Sequence, residues 1–267
     1  MKGVDYSWAR PGGKAIRAAG FEFAMRYVPY PGDGGKGLTF EEIADLRANG
    51  LAIGLVFEST AGRMLDGYSA GVADALQCAA SVDALAFPVT LPVYFACDFD
   101  AQPAQYAALD DYLQGAASEL GLMRVGVYGG YHVIEHCHEV GSAAYFWQTY
   151  AWSGGHVSDW AHIFQNLNGQ TLNGGAVDYN AAAAEFGQWK PEEDEMTPEQ
   201  FTEEFTKNMG KLFPAYIKAY FERGFSAANG IVEPGEIADE GPIKPWMADI
   251  EARFQHLPGI AGDGGGS

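Results

Sequence analysis

The run Leu91 to Asp100, LPVYFACDFD, is an apolar segment that stops abruptly at two carboxylates. Such a run suits a strand buried on both faces of a parallel sheet. Asp98 and Asp100 are two residues apart, so both would project to one side if the extended backbone continued through them. Carboxylates at the end of a buried strand are costly unless they have a task or cap the next element. In barrels of alternating strands and helices, the chemistry collects at the C-terminal ends of the strands. That makes this one stretch a strong constraint on the rest of the chain.

The remaining segments repeat the theme. GVDYS at Gly3–Ser7 reads as a first strand ending in Asp5, followed by a short helix over Gly12–Ala19. FEFAMRYV at Phe21–Val28 is a second strand, and a Gly- and Pro-rich rim loop follows it. Thr39 caps a helix over Phe40–Asn49, with Glu42 as its capping-box partner. LAIGLVFES at Leu51–Ser59 is a third apolar strand and carries Glu58 near its end. A long Ala-rich helix over Tyr68–Ala86 leads to the central strand, and Gln102–Leu120 is the next helix, with Pro103 in its first turn. RVGVYG at Arg124–Gly129, the aromatic AYFWQTYA at Ala144–Ala151, AHIFQN at Ala161–Asn166 and GAVDYN at Gly175–Asn180 complete eight strands, with a short helix over Tyr131–Glu139. Strand–helix alternation in the early half implies a parallel sheet. The expected fold class is therefore α/β, a TIM-like (β/α) barrel. Its last three strands are joined by loops too short for full helices, which predicts an irregular barrel.

This barrel is expected to occupy residues 1–188. A charged linker over 189–196 then leads to a second, helical part. Thr197 opens another capping box, TPEQ, and Phe201, Phe205, Leu212, Phe213, Tyr216 and Tyr220 recur mostly at steps of three and four. A helical segment over 197–258 and a flexible tail over 259–267 are the expectation. One-sided helices leave an apolar stripe, so self-association or assembly into a virion is expected of that segment.

Composition excludes several classes. With a formal net charge of −19 over 267 residues, the chain lacks the clustered bases that nucleic acid requires. No apolar run is long enough to insert into a membrane, and MKGVDYSWARPGG has no apolar core of a secretion signal. The protein is thus expected to be synthesised in the cytoplasm without a signal peptide. Cys78, Cys97 and Cys137 sit in apolar or helical patterns and read as free buried thiols. His132, His136 and His138 follow no metal-ligand spacing, so neither a metal nor another cofactor is expected. GDGGKG at Gly32–Gly37 is not followed by the Ser or Thr of a phosphate loop.

A barrel would gather the strand-end acids Asp5, Glu58, Asp98, Asp100 and Asp178 on one face. Arg26, Tyr27, Tyr128, Trp147, Gln148, Tyr150 and Gln165 fall beside them in the pattern. Carboxylates supply acid and base or nucleophile, aromatic rings pack on pyranose faces, and amides bond to hydroxyls, which is the equipment of a sugar site. A non-catalytic glycan-binding module would use much the same side chains.

Taken in order, GVDYS, the strand closing in DFD, GVYGG, YFWQTY and the terminal VDYN resemble the lysozyme-type family 25 glycoside hydrolases. GVDYSWARP followed by FAMRYV is more similar to the glycoside-hydrolase-like family with domain of unknown function 1906, which shares that barrel. The resemblance covers about residues 1–188. It implies an acidic cluster of Asp5, Asp98, Asp100 and Asp178, with Asp100 as general acid at a position where the lysozyme family usually carries Glu. It also implies peptidoglycan as substrate, cleaved after N-acetylmuramic acid without a metal. Action at the bacterial cell wall follows, with a phage particle or phage lysis system as the expected setting.

Overall fold

The protein is described by a computed structural model over residues 1–183 and 185–190. The expected helical segment, its tail and all but the start of the linker lie outside the described residues. Eight strands run through the described part: β1 Lys2–Asp5, β2 Phe23–Tyr27, β3 Ala52–Phe57, β4 Val93–Ala96, β5 Val125–Gly129, β6 Tyr145–Thr149, β7 Ile163–Leu172 and β8 Gly175–Ala182. They close into one barrel in sequence order. Pairing is parallel from β1 through β7. β8 is antiparallel to both of its neighbours, β7 and β1. The irregularity expected of the late strands is this β7–β8 hairpin, which turns at Asn173 and Gly174 and needs no crossover helix.

The helices are α1 Gly13–Ala18, α2 Phe40–Ala48, α3 Tyr68–Ala84, α4 Tyr106–Leu120 and α5 Tyr131–Val140. Thr39 caps α2 by accepting the Glu42 N–H at 3.2 Å. The Glu42 carboxylate meets Arg26 and Arg10. The segment expected as one helix from Gln102 splits into a 3₁₀ turn, Pro103–Gln105, and then α4.

The strands alternate between two cores. Val4, Ala24, Ile53, Leu55, Phe57, Val93, Phe95 and Val127 belong to the apolar layer shared with the helices. Phe23, Met25, Ala52, Val56, Tyr94, Ala96, Tyr128, Trp147 and Ile163 fill the barrel interior. Large and small residues alternate there, as interior packing requires. A side chain on Gly3 would meet the ring of Phe23, one on Gly54 would meet the Met25 sulfur, and one on Gly126 would come within 2.7 Å of Tyr94. After β8 the chain folds back beneath the barrel. Phe186 is fully buried against Phe23, with ring centroids 4.6 Å apart, and its carbonyl accepts the Tyr94 hydroxyl at 2.7 Å. Trp189 pairs with Ile53 by exchanged backbone hydrogen bonds of 2.9 and 2.7 Å. Cys78, Cys97 and Cys137 are free and buried.

Candidate active site

At the C-terminal ends of the parallel strands the barrel opens into a cleft of about 300 Å³. Asp5, Glu58, Asp98 and Asp178 line it, together with Tyr27, Tyr128, Trp147 and Gln165. Strand parity brings them together. Asp5 follows Gly3 on the interior face of β1, Tyr27 follows Met25 on β2, and Glu58 follows Val56 beyond β3. Asp98 continues the inward set Tyr94 and Ala96. Each lies where the strand meets solvent, so a polar group can face inward without entering the apolar interior.

Asp5 is the deepest carboxylate, 6% exposed. Its Oδ2 accepts from Asn180 Nδ2 at 2.7 Å and Gln165 Nε2 at 2.9 Å. Trp147 Nε1 donates to Asn180 Oδ1 and the Tyr128 hydroxyl donates to Gln165 Oε1, both at 2.9 Å. One polar chain therefore runs across the cleft floor from Tyr128 to Trp147 and passes through Asp5. Burial pushes the Asp5 carboxyl up to about 7; the two amide bonds oppose this and nearby Asp178 adds to it. Asp98 is also raised, by burial first and then by the charge of Glu58, with Lys36 opposing. Burial raises Asp178, against the hydrogen bond it accepts from Gly169 N–H at 2.7 Å. Three acids in one cleft thus resist ionisation, which is the condition for one of them to hold a proton for transfer.

Lys36 was not among the expected site residues. It pairs with Glu58 at 3.2 Å and lies 4.4 Å from the centroid of the Tyr27 ring. The loop that carries it is fastened down, in contrast to a free rim loop. Asp33 accepts from Gly35 N and Gly37 N, Arg10 donates to the carbonyls of Gly35 and Gly37, and Arg26 donates to that of Lys36. Asn180 and Asn168 were missed as well. Asn180 was legible, since it stands two residues after Asp178 in VDYN and shares its face. Asn168 reaches the cleft through register shifts in the β7–β8 pairing after Gln165, which strand alternation alone does not reveal.

Four expected site residues fall outside the cleft lining. Asp100 is exposed, because β4 ends at Ala96 and a tight turn, with Ala101 N–H bonded to Phe99 O at 3.0 Å, redirects the chain. Arg26 is fully buried on the outer face of β2, where it binds Glu42 at 2.7 Å and the carbonyl of Tyr6. Gln148 is fully buried on the outer face of β6 and holds the following loop through His156 O and Ser158 N. Tyr150 lies beyond the end of β6 and is 47% exposed.

Among the described residues, no group of three or more His, Cys, Asp or Glu side chains is placed to hold a metal ion. His136 meets Asp110 at 2.8 Å and His138 stacks on Trp160. No described helix is long and apolar enough to cross a membrane.

Residues 14–211 match a family model described as the Rv2525c-like, glycoside hydrolase-like domain. The Tat-secreted protein Rv2525c of Mycobacterium tuberculosis, solved with L-tartrate, is 32% identical. The match covers 70% of this chain and 98% of that one, with a TM-score of 0.67. An uncharacterized protein of B. stearothermophilus has the same fold at 18% identity, with 69% and 96% coverage and a TM-score of 0.53. The bacterial lysozyme from Streptomyces coelicolor aligns at 16% identity, with 69% and 92% coverage and a TM-score of 0.46. No curated protein matches the chain. From the model match and the identity to Rv2525c, the chain belongs to the Rv2525c-like, glycoside hydrolase-like domain family.

Proposed function

We propose that the cleft hydrolyses the glycan of bacterial cell-wall peptidoglycan. The observation that carries this reading is the meeting of Asp5, Glu58, Asp98 and Asp178 in one aromatic-walled cleft at the strand ends. In this reading Asp98 is the general acid, in place of Asp100: it lines the cleft and its carboxyl is held above the usual range. It gives its proton to the glycosidic oxygen as the bond to the anomeric carbon breaks. Asp178, across the cleft, stabilises the positive charge that develops on the sugar ring; water then adds to the anomeric carbon and its proton passes to the Asp98 carboxylate, which completes the new reducing end and restores the acid. Asp5 and its amide partners fix the floor. Lys36 holds Glu58 in place as an acceptor for sugar hydroxyls. The site of action is the bacterial cell wall; that Rv2525c is Tat-secreted supports a place outside the cytoplasm.

The test is release of reducing ends from purified peptidoglycan by wild type, Asp98→Asn and Asp100→Asn. Removing a general acid typically costs about 10²–10⁴-fold, so Asp98→Asn should fall by that factor while Asp100→Asn stays within a few-fold. Wild-type rate should decline as pH rises through the Asp98 pKa, because only the protonated form donates. Equal rates for wild type and Asp98→Asn would remove Asp98 from the acid role. A second reading is favoured by the exposed position of Asp100, the residue whose place in the DFD motif resembles that of the lysozyme family's usual acid. There the cleft binds glycan without cleaving it, and wild type sediments with peptidoglycan yet releases no reducing ends.

A further inference from the structure

The fully buried amide of Gln148, expected to bind substrate, is committed to a loop on the barrel's outside. Its Oε1 accepts Ser158 N–H at 2.7 Å and its Nε2 donates to His156 O at 2.8 Å. The Ser158 hydroxyl donates to Glu135 at 2.5 Å and accepts Trp160 N–H at 3.1 Å. Together these bonds fix the backbone at Trp160. One face of its indole is covered by the His138 ring, 3.6 Å away and 11° from parallel, yet 49% of Trp160 is exposed. Holding a large aromatic in water on a loop tied down by these bonds gains nothing for the core. It does lower the ordering cost of binding something to the free surface.

Trp160 is one wall of a shallow pocket of about 480 Å³, together with His138, Phe146, Asp159, His162 and small alanine side chains. His162 precedes β7, Ala183 follows β8 and His138 is in the last turn of α5, so the pocket lies at the N-terminal end of the strands, away from the cleft. Nδ1 of His162 accepts Phe146 N–H at 3.1 Å, which leaves the proton of the neutral ring on Nε2. Burial lowers the His162 pKa and so favours that neutral form. The lining therefore offers an aromatic surface, N–H donors on the His162 and Trp160 rings and the Asp159 carboxylate as acceptor, and no Lys or Arg. Anions are disfavoured. A ring with an apolar face and a hydroxyl-bearing edge matches all three features.

We infer that this flank pocket is a second glycan-binding site, which holds a neutral pyranose ring of the wall polymer on Trp160 while the cleft engages the chain elsewhere. The ligand class rests on the reading of the cleft given above; the site itself does not. Trp160 and Asp159 are both exposed, so Trp160→Ala and Asp159→Ala leave the core intact. Each is placed in full-length Asp98→Asn protein, which removes turnover, and cosedimentation with purified peptidoglycan is measured with N-acetylglucosamine oligomers or free stem peptide as competitor. Trp160→Ala should weaken wall binding about tenfold, equivalent to ~1.4 kcal/mol, and Asp159→Ala several-fold. The oligomers should compete. Unchanged wall binding in both variants would overturn the inference, as would competition by stem peptide alone. If wild type releases no reducing ends, the hydrolase reading fails, whereas the flank pocket is still judged on binding.

Discussion

Asp5 is the cleft carboxylate whose charge state the fold controls most strongly. It is buried, hydrogen-bonded through one oxygen to two amides, and raised to about 7. A carboxyl whose folded pKa lies above its unfolded value binds more protons when native. Its contribution to stability is therefore full below the unfolded pKa near 4 and is lost as pH rises to about 7. The loss is on the order of 4 kcal/mol for a buried group shifted this far. Asp5→Asn keeps an oxygen for the amides and cannot ionise. The difference in melting temperature between wild type and Asp5→Asn should change steadily between pH 4 and 7, with the variant gaining relative stability as pH rises, and level off above. A difference that is flat across that window would show that Asp5 does not titrate there. Asp98 differs in access: it is only partly buried at the cleft wall, where the proposed reading has it exchange its proton with a substrate. That is why the acid role is assigned to Asp98, although Asp5 is the more strongly shifted of the two.

At the scale of elements, helices α3 and α4 cross at two glycines. A side chain on Gly71 would run into the carbonyl of Tyr112, and one on Gly115 into that of Tyr68. The close approach also brings the Tyr112 hydroxyl to Asp74 at 2.7 Å, and Arg63 grips the same carboxylate. Gly71→Ala should therefore destabilise by about 1–3 kcal/mol through overpacking, against the small gain in helix propensity that an exposed site would give. Denaturant unfolding that shows equal or higher stability would rule out the close crossing. The same scale explains what could be read in the sequence. Apolar runs located all eight strands, and four of them carry an acid at the barrel's open end, Asp5, Glu58, Asp98 and Asp178. They did not assign faces. Arg26 and Tyr27, like Trp147 and Gln148, are sequence neighbours, and a strand sends neighbours to opposite sides. Tyr27 and Trp147 face the cleft; Arg26 and Gln148 hold loops behind it. Asp100 falls outside the cleft lining for a related reason. Its alternation with Asp98 is real only while the backbone stays extended, and the turn at Phe99–Ala101 ends that. Lys36 was illegible because a loop residue's partner, Glu58 here, depends on how the loop is tied.

For the molecule as a whole, the cleft at one end of the barrel depends on closure at the other. Interior layers built from Phe23, Met25 and Tyr94 leave the N-terminal end open until the chain returns after β8. Phe186 then fills it, packing on Phe23 and near Gly54, and Tyr94 anchors its carbonyl. Next in the chain, Gln188 Oε1 accepts Phe186 N–H at 2.8 Å, and Trp189 bonds to β3 and packs on Phe87. Residues that follow the last strand are thus part of the barrel's core. Because Phe186 is fully buried among interior side chains, truncating it leaves a cavity that its rigid aromatic neighbours cannot collapse into. Phe186→Ala should cost about 3–5 kcal/mol, the range for large-to-small core substitutions. Trp189→Ala, partly exposed, should cost less. The cleft end should respond weakly, since Asp5 and its amide partners are held by their own bonds. The expected outcome in full-length protein is a large fall in the denaturant midpoint for Phe186→Ala, with glycan affinity at low temperature retained. A loss of unfolding free energy under about 1 kcal/mol, from the midpoint and m-value, would show that the barrel closes without this residue. Lost affinity in a variant that remains folded would show instead that floor and cleft form one cooperative unit.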